Sequence, residues 1–396
     1  MINIVLCLLL VIIVFPSCIE DYKIPKAETI AYESEMVIQG RIQIGDESLV
    51  YISETQPLGS EEKPNSPLNA YVYITGENGF RSASAQYDEE RACYVIDTRE
   101  LSPNMLYSLT VELNGEVYQS DYMSVEITPE IEEVSYKERE YGISIHVTTY
   151  NDKDASKYYL WTYEEDWEFH AEMDLARMSG GIPVYSEKFY KIPGKNTLNE
   201  YYYCWKHTES SNIHIYTTDV LDENSAKDVE LLRIPIDDIR ISYIYSILVK
   251  QFSLDKDAYN YYKLLEQLTE DTGGLFSPMP AEIKGNVKCT SNPEKSVRGY
   301  VFASTMSSKR IFVYEENLTS LSSTYENCYY EPTPDPLYNG WDAEWRNRIS
   351  KYGYIAFTKL GVIEPGATLY SRDCVDCTAT KGSTKKRPDF WPNNHE

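Results

Sequence analysis

The chain has 396 residues, 42% of them hydrophobic and 25% charged, enough for two or three ordinary domains whose cores need no disulfide to survive. Its formal net charge of -25 excludes a nucleic-acid partner, because phosphate binding needs clustered Lys and Arg. It also excludes a hold on anionic lipid by charge alone.

The first element is an apolar run from Ile4 to Phe15, too short to span a bilayer as a helix. It fits the apolar region of a secretory signal. Ser17 then precedes Cys18, and a small residue directly before a Cys at the end of such a run resembles a bacterial lipoprotein signal. That resemblance implies that the Cys18 thiol carries a diacylglycerol and opens the mature chain. No Lys or Arg precedes the run, and Phe15-Pro16 replaces a more usual Leu-Ala; an ordinary cleaved signal with an incidental Cys is the alternative reading. Two or three acyl chains would hold the protein firmly to outer-membrane lipid, at about 0.8 kcal/mol per buried CH₂. Ile19, Glu20 and Asp21 resemble the surface-export signal of Bacteroidota lipoproteins, which implies an address facing the medium. Residues 1–17 are thus expected to be signal and 18–34 a polar tether.

Residues 35–127 read as an immunoglobulin-like or prealbumin-like β-sandwich. Ile38, Gly40, Ile42 and Ile44 alternate with polar positions, as in a half-buried strand. Tyr71 to Ile74 and Tyr94 to Ile96 read as further strands. Tyr107, Leu109, Val111 and Leu113 alternate again and run into Asn114-Gly115, the strongest short hairpin signal. Ser124 to Pro129 looks like a boundary. Residues 128–396 read as a larger β-rich domain, with strands around 143–147, 158–163, 201–205, 213–217, 231–236 and 241–249. One helix is expected over about 253–272, capped by Ser253 or Asp255, with Ala258, Tyr261, Tyr262, Leu265 and Leu268 on one stripe and Gly273-Gly274 at its end. The fold class is therefore mainly β with one prominent helix. The 36 Tyr, against 10 Phe and 6 Trp, suit strands whose rings pack while their hydroxyls stay wet. The same rings could also form a sugar- or peptide-binding surface.

Beyond Cys7 and Cys18 stand Cys93, Cys204, Cys289, Cys328, Cys374 and Cys377, and an exported chain makes disulfides their default state. Six Cys allow 15 pairings. Cys374 and Cys377 form a C-x-x-C pair without the βαβ setting of a redox motif and without a second close pair for zinc. With Cys204, Cys289 and Cys328 they are the disulfide candidates, expected to pin the C-terminal tail to the body, one of the pair joining Cys328.

Trp161, Glu164, Glu165, Asp166, Trp167 and Glu168 place carboxylates beside indoles, the residue types of a glycosidase site. Adjacent strand residues point to opposite faces, so a solvated acidic strand or loop is the better reading. His146, His170, His207, His214 and His395 accompany no nucleophile elbow. No phosphate loop or zinc-protease motif occurs, and Asn151, Asp152 and Asp154 read as an Asx-turn. The Pro-rich segment 332–345 carries Tyr338, Trp341 and Trp345, aromatics suited to a glycan or peptide ligand or to packing on the sheet. No catalytic residue, metal ligand or cofactor is assigned.

A longer pattern runs through the chain: Val37-Ile38-Gln39-Gly40, then Asn151-Asp152 leading to Lys157-Tyr158-Tyr159, then Ala258-Tyr259-Asn260-Tyr261-Tyr262, Pro278-Met279-Pro280, Ile283-Lys284-Gly285-Asn286 and Val297-Arg298-Gly299-Tyr300-Val301. Cys374-Val375-Asp376-Cys377 and Lys386 to Trp391 close it. In this order the chain resembles the Bacteroidota lipoprotein family called domain of unknown function 4249. The resemblance implies a non-catalytic outer-membrane lipoprotein, accessory to ligand capture or uptake through a TonB-dependent receptor. The rival expectations are a surface glycan or peptide hydrolase with its acids at 161–168, and an adhesin or structural surface module.

Overall fold

The computed structural model describes residues 34–56, 66–172, 183–185, 201–210, 212–270, 283–318, 330–334, 355–358 and 366–392. Cys18, the 18–34 tether up to its last residue, Cys328, Tyr338, Trp341, Trp345 and Gly273-Gly274 lie outside them.

In chain order the first strands are β1 (Met36–Gln43), β2 (Glu47–Glu54), β3 (Tyr71–Gly76), β4 (Gln86–Asp88), β5 (Cys93–Asp97), β6 (Tyr107–Leu113), β7 (Glu116–Ser120) and β8 (Val125–Glu126). There follow β9 (Ile131–Arg139), β10 (Gly142–Tyr150), β11 (Tyr158–His170), β12 (Pro183–Tyr185), β13 (Tyr203–Glu209), β14 (His214–Thr217), β15 (Ser225–Pro235) and β16 (Ile244–Leu254). Helix α1 (Lys256–Glu270) leads to β17 (Val287–Cys289), β18 (Val297–Arg298), β19 (Val301–Ser304), β20 (Met306–Tyr314), β21 (Tyr330–Pro334), β22 (Ile355–Thr358) and β23 (Gly366–Tyr370). The fold is mainly β, with one prominent helix among the described residues, as the residue pattern predicts.

The N-terminal sandwich lays the sheet β4-β5-β2-β1-β19-β8 over β17-β7-β6-β3. Strand alternation sends Ile38, Ile42, Val50 and Ile52 from one side, and Val72, Ile74, Leu109 and Val111 from the other, into one core. Asn114 and Gly115 both take positive φ, 53° and 82°, which closes the β6–β7 hairpin with a twist that matches its strands.

The sandwich is not continuous in sequence. A boundary at residue 127 leaves out β17, β18 and β19, which pair with β7 and β1. The pairing of β1 with β19 is parallel, so hairpins alone cannot supply it. Two glycines and an asparagine seat these late strands. A Cβ on Gly285 would stand 1.7 Å from the Gly299 carbonyl oxygen, and one on Gly299 (φ +103°) would stand 2.0 Å from that of Ile38. Asn286 donates to the Val301 carbonyl at 2.7 Å and accepts from the Val301 N–H at 2.8 Å. The Ser124–Pro129 segment is stitched in as well: Val125 pairs with Ala303, and the Thr128 hydroxyl accepts from the Ser253 N–H at 2.9 Å.

A second pair of sheets, β15-β10-β9 and β13-β11-β16-β20, encloses the largest apolar cluster. Ile143, Ile145 and Val147 meet Tyr159, Trp161, Tyr163, Ile247 and Val249 there. Fully burying such side chains contributes roughly 1.5–3 kcal/mol each. Gln251, fully buried, struts the two sheets: it accepts from Trp161 Nε1 at 2.8 Å and donates to the Pro129 carbonyl and Thr149 Oγ1.

The opposite face of β11 and β16 carries Leu160, Phe252 and Leu254, and α1 packs there with Ala258 and Tyr261 beside Tyr300 and Phe302 of the sandwich. Asp255 is the cap, its carboxylate accepting from the Ala258 N–H at 2.7 Å. Ser253 is interior to β16 and does not cap. One further sheet, β12-β22-β23-β21, completes the described strands. Among the described residues no helix is long and apolar enough to cross a membrane.

Candidate functional site

A cleft of about 300 Å³ lies where the outer face of β1 and β2 meets the Leu160 face of β11 and β16. Its position follows from strand parity. Ile38, Gly40 and Ile42 turn into the sandwich core, so Gln39 and Arg41 point the other way. Leu49 and Tyr51 of β2 and Phe302 of β19 extend that wall. The facing wall is Leu160, Thr162, Glu164 and Lys250, with Tyr262 of α1, and Glu209, Ser210 and Asn212 lie at the β13 end.

The charges in the cleft are not equally engaged. Arg91 bonds Asp88 at 2.7 Å and Glu47 at 3.2 Å. Lys250 is paired with Glu164. Arg41 has no ion pair among the described residues: its guanidinium lies over the Phe252 ring at 4.3 Å, and its Nε is buried without a hydrogen-bond partner. Burial pushes the Arg41 guanidinium below its ordinary range, while its electrostatic coupling to Tyr51, Tyr262 and Glu209 acts the other way. The Tyr51 hydroxyl is pushed up to about 12, first by desolvation and then by the Cys93 sulfur. Burial also raises Cys93 and Tyr262.

Two residues further along the same face, Asp166 accepts from His207 Nδ1 at 2.7 Å and from Arg310 Nη1 at 2.9 Å. Burial alone would raise the Asp166 carboxyl, yet these two donors hold it below its ordinary value. His207, half exposed, is raised first by its Asp166 bond and lowered in part by desolvation. Ser246, the hydroxyl against Arg310, is fully buried, so it offers this pair no accessible nucleophile.

The reading of 164–168 as a solvated acidic strand or loop is corrected. Glu165, Asp166 and Glu168 are 5%, 4% and 0% exposed. Glu165 points into the second core and accepts from Arg240 Nη1 and the Tyr245 hydroxyl, both at 2.8 Å. Glu168, on the other face, accepts from Trp391 Nε1 at 2.5 Å. The acids are buried because β11 is a central strand covered on both faces, and each has a partner because an unpaired buried carboxylate is costly. Asn151 accepts from the Asp152 N–H at 3.0 Å, one residue on and not the two of an Asx-turn; the chain turns instead through the Ala155 N–H, which donates to the Asp152 carbonyl at 3.1 Å. Among the described residues no group of three His, Cys, Asp or Glu could hold a metal ion.

Cys204 and Cys377 form a disulfide that ties the tail to β13 across 173 residues, and Trp205 pairs with Thr384 beside it. Cys374 is disulfide-bonded too; Cys328, its expected type of partner, lies outside the described residues. Cys289 is corrected: it is a free thiol, 2% exposed, 3.5 Å from Ser291 Oγ in the sandwich core, where β17 packs against β7. Cys93 is free and buried. The cleft residues Arg41, Tyr51, Lys250, Glu209 and Phe302 carry no sequence signal of their own, and Tyr262 belongs to the stripe expected to pack the helix. An outward Arg on an alternating strand reads as a solvent-facing residue until a second sheet is laid against it.

Two packed pairs of sheets with a cleft at their junction define a β-rich, multi-sheet protein. The chain belongs to the family described as Domain of unknown function (DUF4249), whose profile matches residues 19–310. No curated protein matches the chain. A solved two fibronectin type-III domain segment from chicken tenascin aligns at 9% identity over 56% of this chain and 92% of its own, with a TM-score of 0.16, too low for the likeness to carry an argument.

Proposed function

We propose that the protein is a non-catalytic lipoprotein of the outer membrane, anchored through Cys18 and facing the medium, that captures a small ligand in the β1–β11 cleft for a TonB-dependent receptor. The observation that carries this reading is the cleft itself: a concave site with tyrosine and arginine in its walls between two sheets. The lipoprotein-like signal ending at Cys18 and the acidic Glu20-Asp21 behind it support the address. The commitment of Glu165 and Glu168 to buried partners supports a structural task for the acids over a hydrolytic one. The test is affinity purification of the native protein from detergent-solubilised envelope. A TonB-dependent receptor in the eluate is expected, and its absence under every growth condition contradicts the reading.

A further inference from the structure

We infer that Arg41 is the anion-recognition residue of the cleft, and that the ligand is a small ring-bearing carboxylate. The inference rests on the cleft being the ligand site and names the ligand's chemistry. Arg41 is partly buried yet has no carboxylate partner among the described residues, in a chain with 62 acidic residues against 37 Lys and Arg. Arg91 and Lys250, in the same cleft, each have one. Arg41 instead has a ring beneath it and a buried Nε with nothing to bond. A guanidinium stacked on one face keeps its in-plane donors for an acceptor, and its fork matches the two oxygens of a carboxylate. The field around it is not neutralised from close range: Glu209 acts on it from beyond ion-pair distance.

The body of the ligand is set by the remaining walls. Tyr51, Tyr262 and Phe302 contribute aromatic lining, and Gln39, Thr162 and Asn212 offer donors and acceptors between them. A volume of about 300 Å³ is at the small end of ligand sites, which suits one six-membered ring with its substituents. A pyranose bearing a carboxylate and a benzene ring bearing one share this chemistry.

Titration calorimetry on the full chain distinguishes the two sources. Glucuronate and galacturonate form one arm, with glucose and galactose as neutral counterparts; benzoate and 4-hydroxybenzoate form the other, with benzyl alcohol. At least one acid is expected to bind, at least tenfold tighter than its neutral counterpart, and to weaken at least tenfold in Arg41→Gln. Preference for the acid on the unaltered chain needs no variant, so a poorly folded Arg41→Gln leaves the test intact. Acids and neutrals binding equally, with loss in Tyr51→Ala, would keep the cleft as ligand site and overturn the role of Arg41. No binding by any of the seven compounds overturns the inference.

Discussion

Replacing Arg240 by Ala strips the buried Glu165 carboxylate of its only cationic partner among the described residues. Glu165 is 5% exposed and would retain the Tyr245 hydroxyl at 2.8 Å alone. Breaking a buried pair from one side costs about 3–5 kcal/mol, because the remaining charge is desolvated and uncompensated. Asp238, the other partner of Arg240 at 2.7 Å, is partly exposed and adds at most about 1 kcal/mol. Urea unfolding followed by tryptophan fluorescence should therefore show the midpoint of Arg240→Ala falling by the equivalent of about 3–5 kcal/mol. Removing both charges, in Glu165→Gln with Arg240→Met, should recover much of that loss, since Gln still accepts from Tyr245 and the buried charge is gone. A loss below about 1 kcal/mol in Arg240→Ala would refute the reasoning. So would a hydrolytic turnover that vanishes in Glu165→Gln with the urea midpoint unchanged, because the acid would then be held for chemistry.

Three further outcomes are expected. Opening the Cys204–Cys377 bridge with paired Cys→Ala changes releases a 173-residue loop, worth up to about 5 kcal/mol in the chain-entropy account, and should lower the thermal midpoint by several degrees; an unchanged midpoint contradicts the pinning of the tail. Because the folded pKa of His207 is raised above 6.5, its contribution is complete below about pH 6.5 and lost as pH rises through that folded value; Asp166, lowered from 3.8, contributes above about pH 3.8 and loses that as pH falls through its folded value. Histidine NMR should find His207 titrating above 6.5, and back near 6.5 in Asp166→Asn; no difference between the two proteins would break the pairing. Gly299→Ala should destabilise by more than about 2 kcal/mol in urea, since its Cβ meets the Ile38 carbonyl at 2.0 Å in a backbone with φ +103°, and a neutral result would show that β18 and β19 are not held as described.

Local structure was legible where a residue's own chemistry decides its conformation. Asn114-Gly115 closes a hairpin because both residues tolerate positive φ, and Asp255 caps α1 because its carboxylate reaches Ala258. The parallel return of β19 onto β1 was not legible, since four apolar or small residues in a row do not say beside which strand they lie. Lys284-Gly285-Asn286 and Arg298-Gly299-Tyr300, which the sequence offered only as part of the family pattern, seat that return. Their glycines permit backbone contact under 4 Å, and their Asn bridges two strands. The acids of β11 were misread because alternation predicts one wet face, and here α1, the sandwich and the tail cover one face while the β15-β10-β9 sheet covers the other. The cleft was invisible for the same reason: it belongs to the junction of sheets whose strands stand more than a hundred residues apart.

The N-terminal peptide of protein extracted from membranes tests the anchor most directly. Mass spectrometry should find a mature chain opening at Cys18, its sulfur carrying a diacylglyceryl group. An unmodified Cys18, or the protein recovered free of membrane with residues 1–17 still attached, would contradict both the anchor and the proposed role in capture.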